Sequence, residues 1–146
     1  MLTLKSVDSQ AKIFSQLPVH SYIDAHIFEV EKKAIFDKYP KYLGHRLMAP
    51  EHGNYQVLDA LNQSAVLVNN HGKINVLSNI CRHRQALMLE NKGSASHIVC
   101  PLHRWTYGLD GKLEGAPYFK ENPCLNLESF PVEEIHGLIF KQTQKQ

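Results

Sequence analysis

The sequence lacks the features that would place it in a membrane, outside the cell or on nucleic acid. No run of 18 apolar residues occurs, and the first eight residues lack the long apolar stretch of a signal peptide. Three cysteines could form one disulfide at most and would leave one thiol over, which suits a reducing compartment. The net charge of +2 is too small to indicate nucleic-acid binding. We therefore expect a cytoplasmic protein with no nucleic-acid or membrane partner.

Residues 1–45 are predicted to form an N-terminal helical lead-in. Within it, residues 22–38 favour a helix, because apolar side chains recur at helical spacing. Ser21 is a candidate N-cap, and Asp24 three residues later completes a capping-box pattern. Pro40 should end the helix, since proline cannot continue the hydrogen-bond pattern. The predicted apolar face consists of Ile23, Ile27, Val30 and Ala34.

Residues 46–141 have the pattern of a small, antiparallel, mostly-β domain, followed by a polar tail at 142–146. Short segments rich in Val, Ile and Leu alternate with turn signals such as Asn70-His71-Gly72 and Asp110-Gly111. Strands are predicted at 55–59, 64–69, 73–78, 97–100, 105–109, 113 onward and 137–140.

Two short motifs carry metal-ligating side chains. They are Cys81-Arg82-His83 and Cys100-Pro101-Leu102-His103, separated by sixteen residues, and strand-like sequence leads into each. A [2Fe–2S] cluster needs four protein ligands, and two histidines in place of two cysteines on one iron define the Rieske type. In that arrangement Cys81 and Cys100 bind one iron, and His83 and His103 bind the other. Neutral imidazoles in place of thiolates raise the reduction potential.

A structural zinc site is the alternative for the same four residues, because zinc uses the same ligand types. Its usual spacing pairs cysteine with cysteine and histidine with histidine, whereas each motif here supplies one of each. A protein of this kind would be an interaction module rather than an electron carrier. The iron–sulfur interpretation is favoured.

The sequence around the motifs resembles the Rieske domain in the α subunit of aromatic ring-hydroxylating oxygenases. The similar stretches are residues 79–84 and 100–107, the helix with Glu31, Tyr42-Leu43-Gly44-His45, residues 109–113 and residues 130–140. The resemblance implies an antiparallel β-sandwich or small barrel with a cluster-binding subdomain and an N-terminal helix. It also implies a Rieske-type [2Fe–2S] cofactor, a ferredoxin or flavin reductase as electron donor, and a mononuclear-iron oxygenase domain as acceptor. An oligomer is compatible with it.

Several positions depart from the pattern of related proteins. The oxygenase family usually has glycine where this chain has Gln85 and Arg104, which puts loop shape and partner docking in question. Respiratory-chain Rieske proteins have an additional disulfide, but the corresponding positions here are Ala86 and Leu102. They also have a serine that donates to a cluster sulfur where this chain has Trp105. One donor fewer favours the low-potential, oxygenase-like class.

The catalytic iron site of the family is not expected in this sequence. It consists of two histidines and one carboxylate, and nothing after Phe140 could supply it. The remaining histidines also lack a paired spacing typical of such a site. Two alternatives remain open: part of a longer oxygenase, which the lead-in favours, and a stand-alone Rieske carrier that serves a separate enzyme. In either case the chain alone is expected to transfer electrons without being catalytically complete.

Other reactive side chains have ordinary interpretations. His45 and His136 lie beside glycines and are expected to be structural, and Cys124 is expected to be a buried or inert thiol. The arginines near the ligands could form a solvated face or a docking surface for an acidic partner. They are Arg82, Arg84 and Arg104. Tyr107 is a candidate hydrogen-bond donor to a cysteine sulfur.

Overall fold

A computed structural model describes residues 17–62 and 64–142, which form two compact units divided between Lys38 and Tyr39. The first sixteen residues of the predicted lead-in and residues 143–146 of the predicted tail lie outside the described residues. No helix in the described ranges is long and apolar enough to cross a membrane.

The helical unit contains one short α-helix, α1 (Ala25–Glu31), after a 3₁₀ turn at Val19–Tyr22. Asp24 caps α1, because its side chain accepts from the backbone N–H groups of His26 (2.7 Å) and Ile27 (3.3 Å). The prediction that Ser21 caps the helix is therefore wrong: Asp24 supplies the oxygen itself. The chain continues as a π-helical turn at Lys32–Phe36 and ends near the predicted position.

The β unit contains eleven short strands, all paired antiparallel, within the described residues. A five-stranded sheet has the order β5-β2-β3-β4-β9, and two three-stranded sheets have the orders β1-β11-β10 and β6-β7-β8. The strands are β1 (Lys41–His45), β2 (Asn54–Val57), β3 (Ala65–Asn70), β4 (Lys73–Ser78), β5 (Lys92–Ser94), β6 (Ile98–Val99), β7 (Thr106–Tyr107), β8 (Leu113–Gly115), β9 (Ser129–Phe130), β10 (Val132–Ile135) and β11 (Leu138–Lys141). The predicted mostly-β, antiparallel fold class is confirmed.

Most predicted strands form within one to three residues of their expected ends. Asp59 is an exception, since it begins a 3₁₀ turn at Asp59–Leu61 instead of ending β2. The sequence pattern did not indicate β1, β5, β9 or β10. β1 lies in the segment assigned to the lead-in, but it pairs with β11 at the other end of the β unit.

Strand β3, in the middle of the five-stranded sheet, is buried on both faces, which explains why it is an almost continuous apolar run. On one face, Val66 and Val68 pack in a core with the strands that carry the metal-ligating loops. On the other face, Ala65 and Leu67 pack in a second core that includes Ile139 of β11. Side chains alternate between faces along a strand, so one strand serves both cores. Each fully buried Val or Leu contributes about 1.5–3 kcal/mol.

Candidate metal centre

The two sequence motifs form loops with the same backbone hydrogen bonds. In the first, the Cys81 N–H donates to Ala86 O (2.9 Å) and the Gln85 N–H donates to Cys81 O (3.0 Å). In the second, the Cys100 N–H donates to Trp105 O (2.8 Å) and the Arg104 N–H donates to Cys100 O (3.0 Å). Each cysteine therefore begins a closed turn of equal length, and the histidine of the motif lies inside that turn.

Both turns close through a left-handed residue at the fourth position after the cysteine. Gln85 has φ of 56° and Arg104 has φ of 60°. These are the positions at which the resembling family usually has glycine. The loops therefore have the backbone shape that glycine allows at little cost, although the residues here have side chains that disfavour it.

The loops bring the four predicted ligands into one region. Cys81 and Cys100 are each 1% exposed and belong to the core beneath the loops. His83 and His103 are half-buried above them, and their ring centroids are 4.7 Å apart. Both cysteines are free thiols in this structure. The arrangement places the two predicted sulfur ligands on the buried side and the two predicted imidazole ligands on the solvent side.

The buried nitrogen of His83 fits a metal ligand. Its Nδ1 atom is buried and has no hydrogen-bond partner among the described residues. A buried polar atom without a partner is costly, and an iron bond would satisfy it. Burial, followed by the positive charges of His103 and Arg84, lowers the pKa of His83. The neutral imidazole, which is the form that binds metal, is therefore favoured.

No three His, Cys, Asp or Glu side chains in the described ranges converge as ligands for a single metal ion. A [2Fe–2S] cluster takes only two protein ligands on each of its irons. The separation into a cysteine pair and a histidine pair fits that donor set.

Two aromatic rings hold His83 in place. The Trp105 ring stacks on it with a centroid distance of 4.9 Å and an interplanar angle of 6°. The edge of Phe119 contacts both rings, at 5.9 Å from His83 and 5.2 Å from Trp105. Trp105 therefore packs directly against one of the predicted ligands. Phe119 was not predicted, because it lies in an irregular segment whose sequence has no periodic pattern.

Tyr107 lies beneath the first loop and contacts it twice. Its hydroxyl is 3.5 Å from the Cys81 sulfur and accepts from the Arg82 backbone N–H at 3.1 Å. Burial, followed by the contact with Cys81, raises the pKa of Tyr107, so the hydroxyl keeps its proton. A metal-bound cysteine is a thiolate and can only accept, so the hydroxyl must then be the donor. The predicted Tyr107 contact is present in the structure.

A buried asparagine fixes the base of the first loop. Asn79 is fully buried, its side-chain NH₂ donates to Leu89 O (2.8 Å), and its side-chain oxygen accepts from Leu89 N–H (2.9 Å). These two hydrogen bonds to the backbone of Leu89 hold together the two ends of segment 79–89, which contains the first motif. Sequence reasoning missed this role. The only available signal was a polar residue directly after β4, followed by the apolar Ile80.

The remaining candidates from the sequence have the following environments. His45 accepts from the Leu47 N–H at 3.1 Å through Nδ1, which confirms a structural role. Cys124 is exposed, so of the two expected forms, a buried or an inert thiol, the buried one is wrong: the residue follows Pro123 in an irregular surface segment. The three arginines near the ligands are exposed, and none forms an ion pair in the part of the chain that the structure describes.

The chain is similar to known proteins over most of its length. Residues 43–131 match the family model for the Rieske [2Fe–2S] domain. Over 127 residues the chain is 47% identical to a putrescine 2-hydroxylase of Ralstonia nicotianae, covering 87% of this chain and 35% of that protein. It is 32% identical over 143 residues to the large oxygenase component of a naphthalene 1,2-dioxygenase system of Ralstonia sp, covering 90% of this chain and 31% of that protein.

The structure is also similar to solved structures of oxygenases. The crystal structure of naphthalene 1,2-dioxygenase from Rhodococcus sp. bound to indole superimposes with a TM-score of 0.69 and 30% identity, covering 83% of this chain and 30% of that one. This chain thus spans about a third of the length of the curated relatives it matches, and it resembles the N-terminal part of oxygenase α subunits. The matched loops and these similarities show that the chain belongs to the Rieske [2Fe–2S] domain family, whose cofactor is a Rieske-type [2Fe–2S] cluster.

Proposed function

We propose that this domain transfers single electrons through a cluster held by Cys81, His83, Cys100 and His103. The observation that carries the proposal is the pair of equivalent turns, which bring one cysteine and one histidine each to a common region. The two cysteines would bind the inner iron, and the two histidines would bind the outer iron. When bound, the cluster supplies a centre that gains and loses one electron.

The protein side chains would set the position and polarity of that centre. With the cluster bound, the Tyr107 hydroxyl, 3.5 Å from the Cys81 sulfur, would donate to it and so favour the more negative, reduced state. Trp105 and Phe119 fix the ring plane of His83 and exclude water from that side. The imidazoles face the solvent side, where a partner can approach closely.

The partners would be a ferredoxin or flavin reductase as donor and a mononuclear-iron oxygenase site as acceptor. Support for this comes from the relatives, which are a hydroxylase and a large oxygenase component. The higher identity to the putrescine 2-hydroxylase (47%) than to the naphthalene 1,2-dioxygenase component (32%) favours an aliphatic amine over an aromatic hydrocarbon as the oxygenase substrate. A substrate screen with the complete oxygenase would test this choice.

The cluster assignment is tested by metal and sulfide analysis of anaerobically purified protein. We expect about two irons and about two acid-labile sulfides per chain, with the electron paramagnetic resonance signal of a reduced Rieske centre after dithionite addition. Cys81→Ser and Cys100→Ser should each abolish the chromophore. Cys124→Ser is the matched control, because this thiol is exposed, and it should keep the full cluster content.

Stoichiometric zinc without sulfide would contradict the assignment and support the structural zinc alternative. Loss of the chromophore in Cys124→Ser would show that the ligand set is wrong.

A partner test distinguishes the oxygenase role from the stand-alone carrier role. In an oxygenase role, the reduced domain should reoxidise faster in the presence of a substrate-loaded oxygenase iron site than with O₂ alone.

A further inference from the structure

Three strained residues surround the histidine pair. Eight residues other than glycine have positive φ in the described part of the chain: Asn62, His71, Gln85, Asn91, Arg104, Tyr118, Cys124 and His136. Four of them are Asn or His, which adopt this conformation more readily than other side chains. Cys124 is held locally, since its N–H donates to the Asn122 side-chain oxygen at 2.8 Å. The other three, with φ of 56°, 60° and 73°, are Gln85, Arg104 and Tyr118.

All three adjoin the site described above. Gln85 and Arg104 close the two ligand loops. Tyr118 directly precedes Phe119, whose ring contacts His83. Strain in residue types that disfavour it is therefore concentrated beside the two imidazoles. Such outliers cluster at functional sites, where the side chain has a use that offsets the conformational cost.

The fold itself does not use these three side chains. Gln85 and Arg104 are exposed, and Tyr118 is 97% exposed. Within residues 17–62 and 64–142, none of the three side chains makes a hydrogen bond, ion pair or ring contact. The loop-closing bonds of Gln85 and Arg104 come from backbone N–H groups, which glycine would supply equally well. Contacts within this chain therefore do not explain why glycine is absent.

The segments that contain the two histidines and Phe119 have charged residues of one sign only. The segments 82–87, 101–106 and 117–120 contain no Asp or Glu, and their charged residues are Arg82, Arg84, Arg104 and Lys120. Exposed apolar side chains, Leu102 and Tyr118, lie in the same segments. Arginine and tyrosine are the side chains enriched at protein–protein interfaces and at their energetic centres. This surface fits a protein with carboxylates around its own redox centre.

We propose that Gln85, Arg104 and Tyr118, here called the rim residues, form a recognition surface for an acidic electron-transfer protein. The inference rests on the proposed electron-transfer function and adds the residues that select the partner. The partner docks over the imidazoles, its carboxylates face Arg104, and Tyr118 is buried against its apolar centre. One electron then passes from the reduced cluster to the partner's oxidised centre, or in reverse.

The test compares an acidic and a basic probe with the cluster-loaded domain. Reduced domain is mixed in a stopped-flow instrument with ferric cytochrome b5, which has an acidic surface, or ferric cytochrome c, which has a basic one. We expect Tyr118→Gly and Arg104→Gly each to lower the second-order rate for cytochrome b5 at least about threefold, with no fall for cytochrome c. Gln85→Gly should act in the same direction. Increasing salt should reduce the difference between wild type and Arg104→Gly.

The matched control is His136→Gly, which relaxes a positive-φ residue in the β10–β11 hairpin turn, outside the ligand loops. It should leave both rates unchanged. All four glycine variants should keep or raise the thermal midpoint, so loss of folding does not account for slower transfer. Unchanged cytochrome b5 rates in all three rim variants, or an equal fall for cytochrome c, would overturn the proposal.

A binding measurement separates this proposal from the electron-transfer function. Titration of the oxidised domain into ¹⁵N-labelled cytochrome b5 reports docking without electron transfer. Wild-type binding that is weakened in the rim variants supports the recognition surface even where the electron-transfer reaction fails. Efficient wild-type electron transfer with binding that the rim variants do not change refutes the recognition surface and leaves the electron-transfer function intact.

Discussion

Replacement of Tyr107 by phenylalanine should lower the reduction potential of the cluster. The substitution removes one oxygen from a buried ring that is otherwise unchanged in shape. That oxygen is 3.5 Å from the Cys81 sulfur and 3.1 Å from the Arg82 backbone nitrogen. The sulfur is more negative in the reduced state, so a donor to it stabilises that state more than the oxidised one. Without the donor, reduction becomes less favourable.

The size of the shift follows from the strength of one buried hydrogen bond. A net contribution of about 0.5–1.5 kcal/mol is typical, and part of it differs between the two redox states. For a one-electron couple a tenfold change in the equilibrium is about 59 mV, which corresponds to about 1.4 kcal/mol. The full bond energy corresponds to about 20–60 mV, and the expected decrease is the part of this that differs between the states, at most about 60 mV.

The potential is measured by a spectroelectrochemical titration at neutral pH. Tyr118→Phe is the matched control, because it removes the same atom from a side chain that is 97% exposed, and its potential should equal that of the wild type. Iron and sulfide content should be checked in each variant. An unchanged potential in Tyr107→Phe with a full cluster would refute the argument that this hydroxyl donates to a cluster ligand.

Two further predictions concern stability and are measured by chemical denaturation. Gly53 and Gly72 both have φ of +84°, but a Cβ at Gly53 would lie 2.9 Å from Ala95 O, whereas nothing lies within 4 Å at Gly72. Gly72→Ala should cost about 1–2 kcal/mol and Gly53→Ala more; equal costs would contradict the steric argument. Arg46 donates to Glu134 at 2.7 Å, and this bond lowers the pKa of that carboxyl. The contribution is present above the ordinary carboxyl pKa and is lost as pH falls through the lowered value, so Glu134→Gln should destabilise at neutral pH and converge with wild type in acid.

The cluster loops and the strands beside them could be predicted because their signals are local. A residue type at a fixed spacing and an apolar run between turn residues both lie within a few positions of one another. β3 and β4 illustrate this, since each is within one residue of its predicted range and the turn between them contains His71 and Gly72. The four predicted ligands were identified in the same way, from two short motifs in which a cysteine and a histidine lie within four residues of each other.

The features that the sequence did not indicate depend on distant partners. β1 becomes a strand because β11 pairs with it, and almost a hundred residues separate the two. Phe119 contacts His83 from an irregular segment far along the chain, so no local pattern marks it. At the helix start, Ser21 and Asp24 are both acceptable caps by type. The choice depends on where the preceding 3₁₀ turn ends.

The burial of Cys81 and Cys100 in the same core as β3 has a consequence for electron-transfer speed. A centre that gains an electron relaxes its bonds and surroundings, and the energy of that relaxation limits the rate. Close-packed interiors transmit strain and resist displacement. If Cys81 and Cys100 bind the cluster as proposed, their sulfurs, which share a core with Val66, Val68 and Ile98, would have little room to move between the two charge states. The same packing that stabilises the fold would thus keep the reorganisation energy of the proposed centre small.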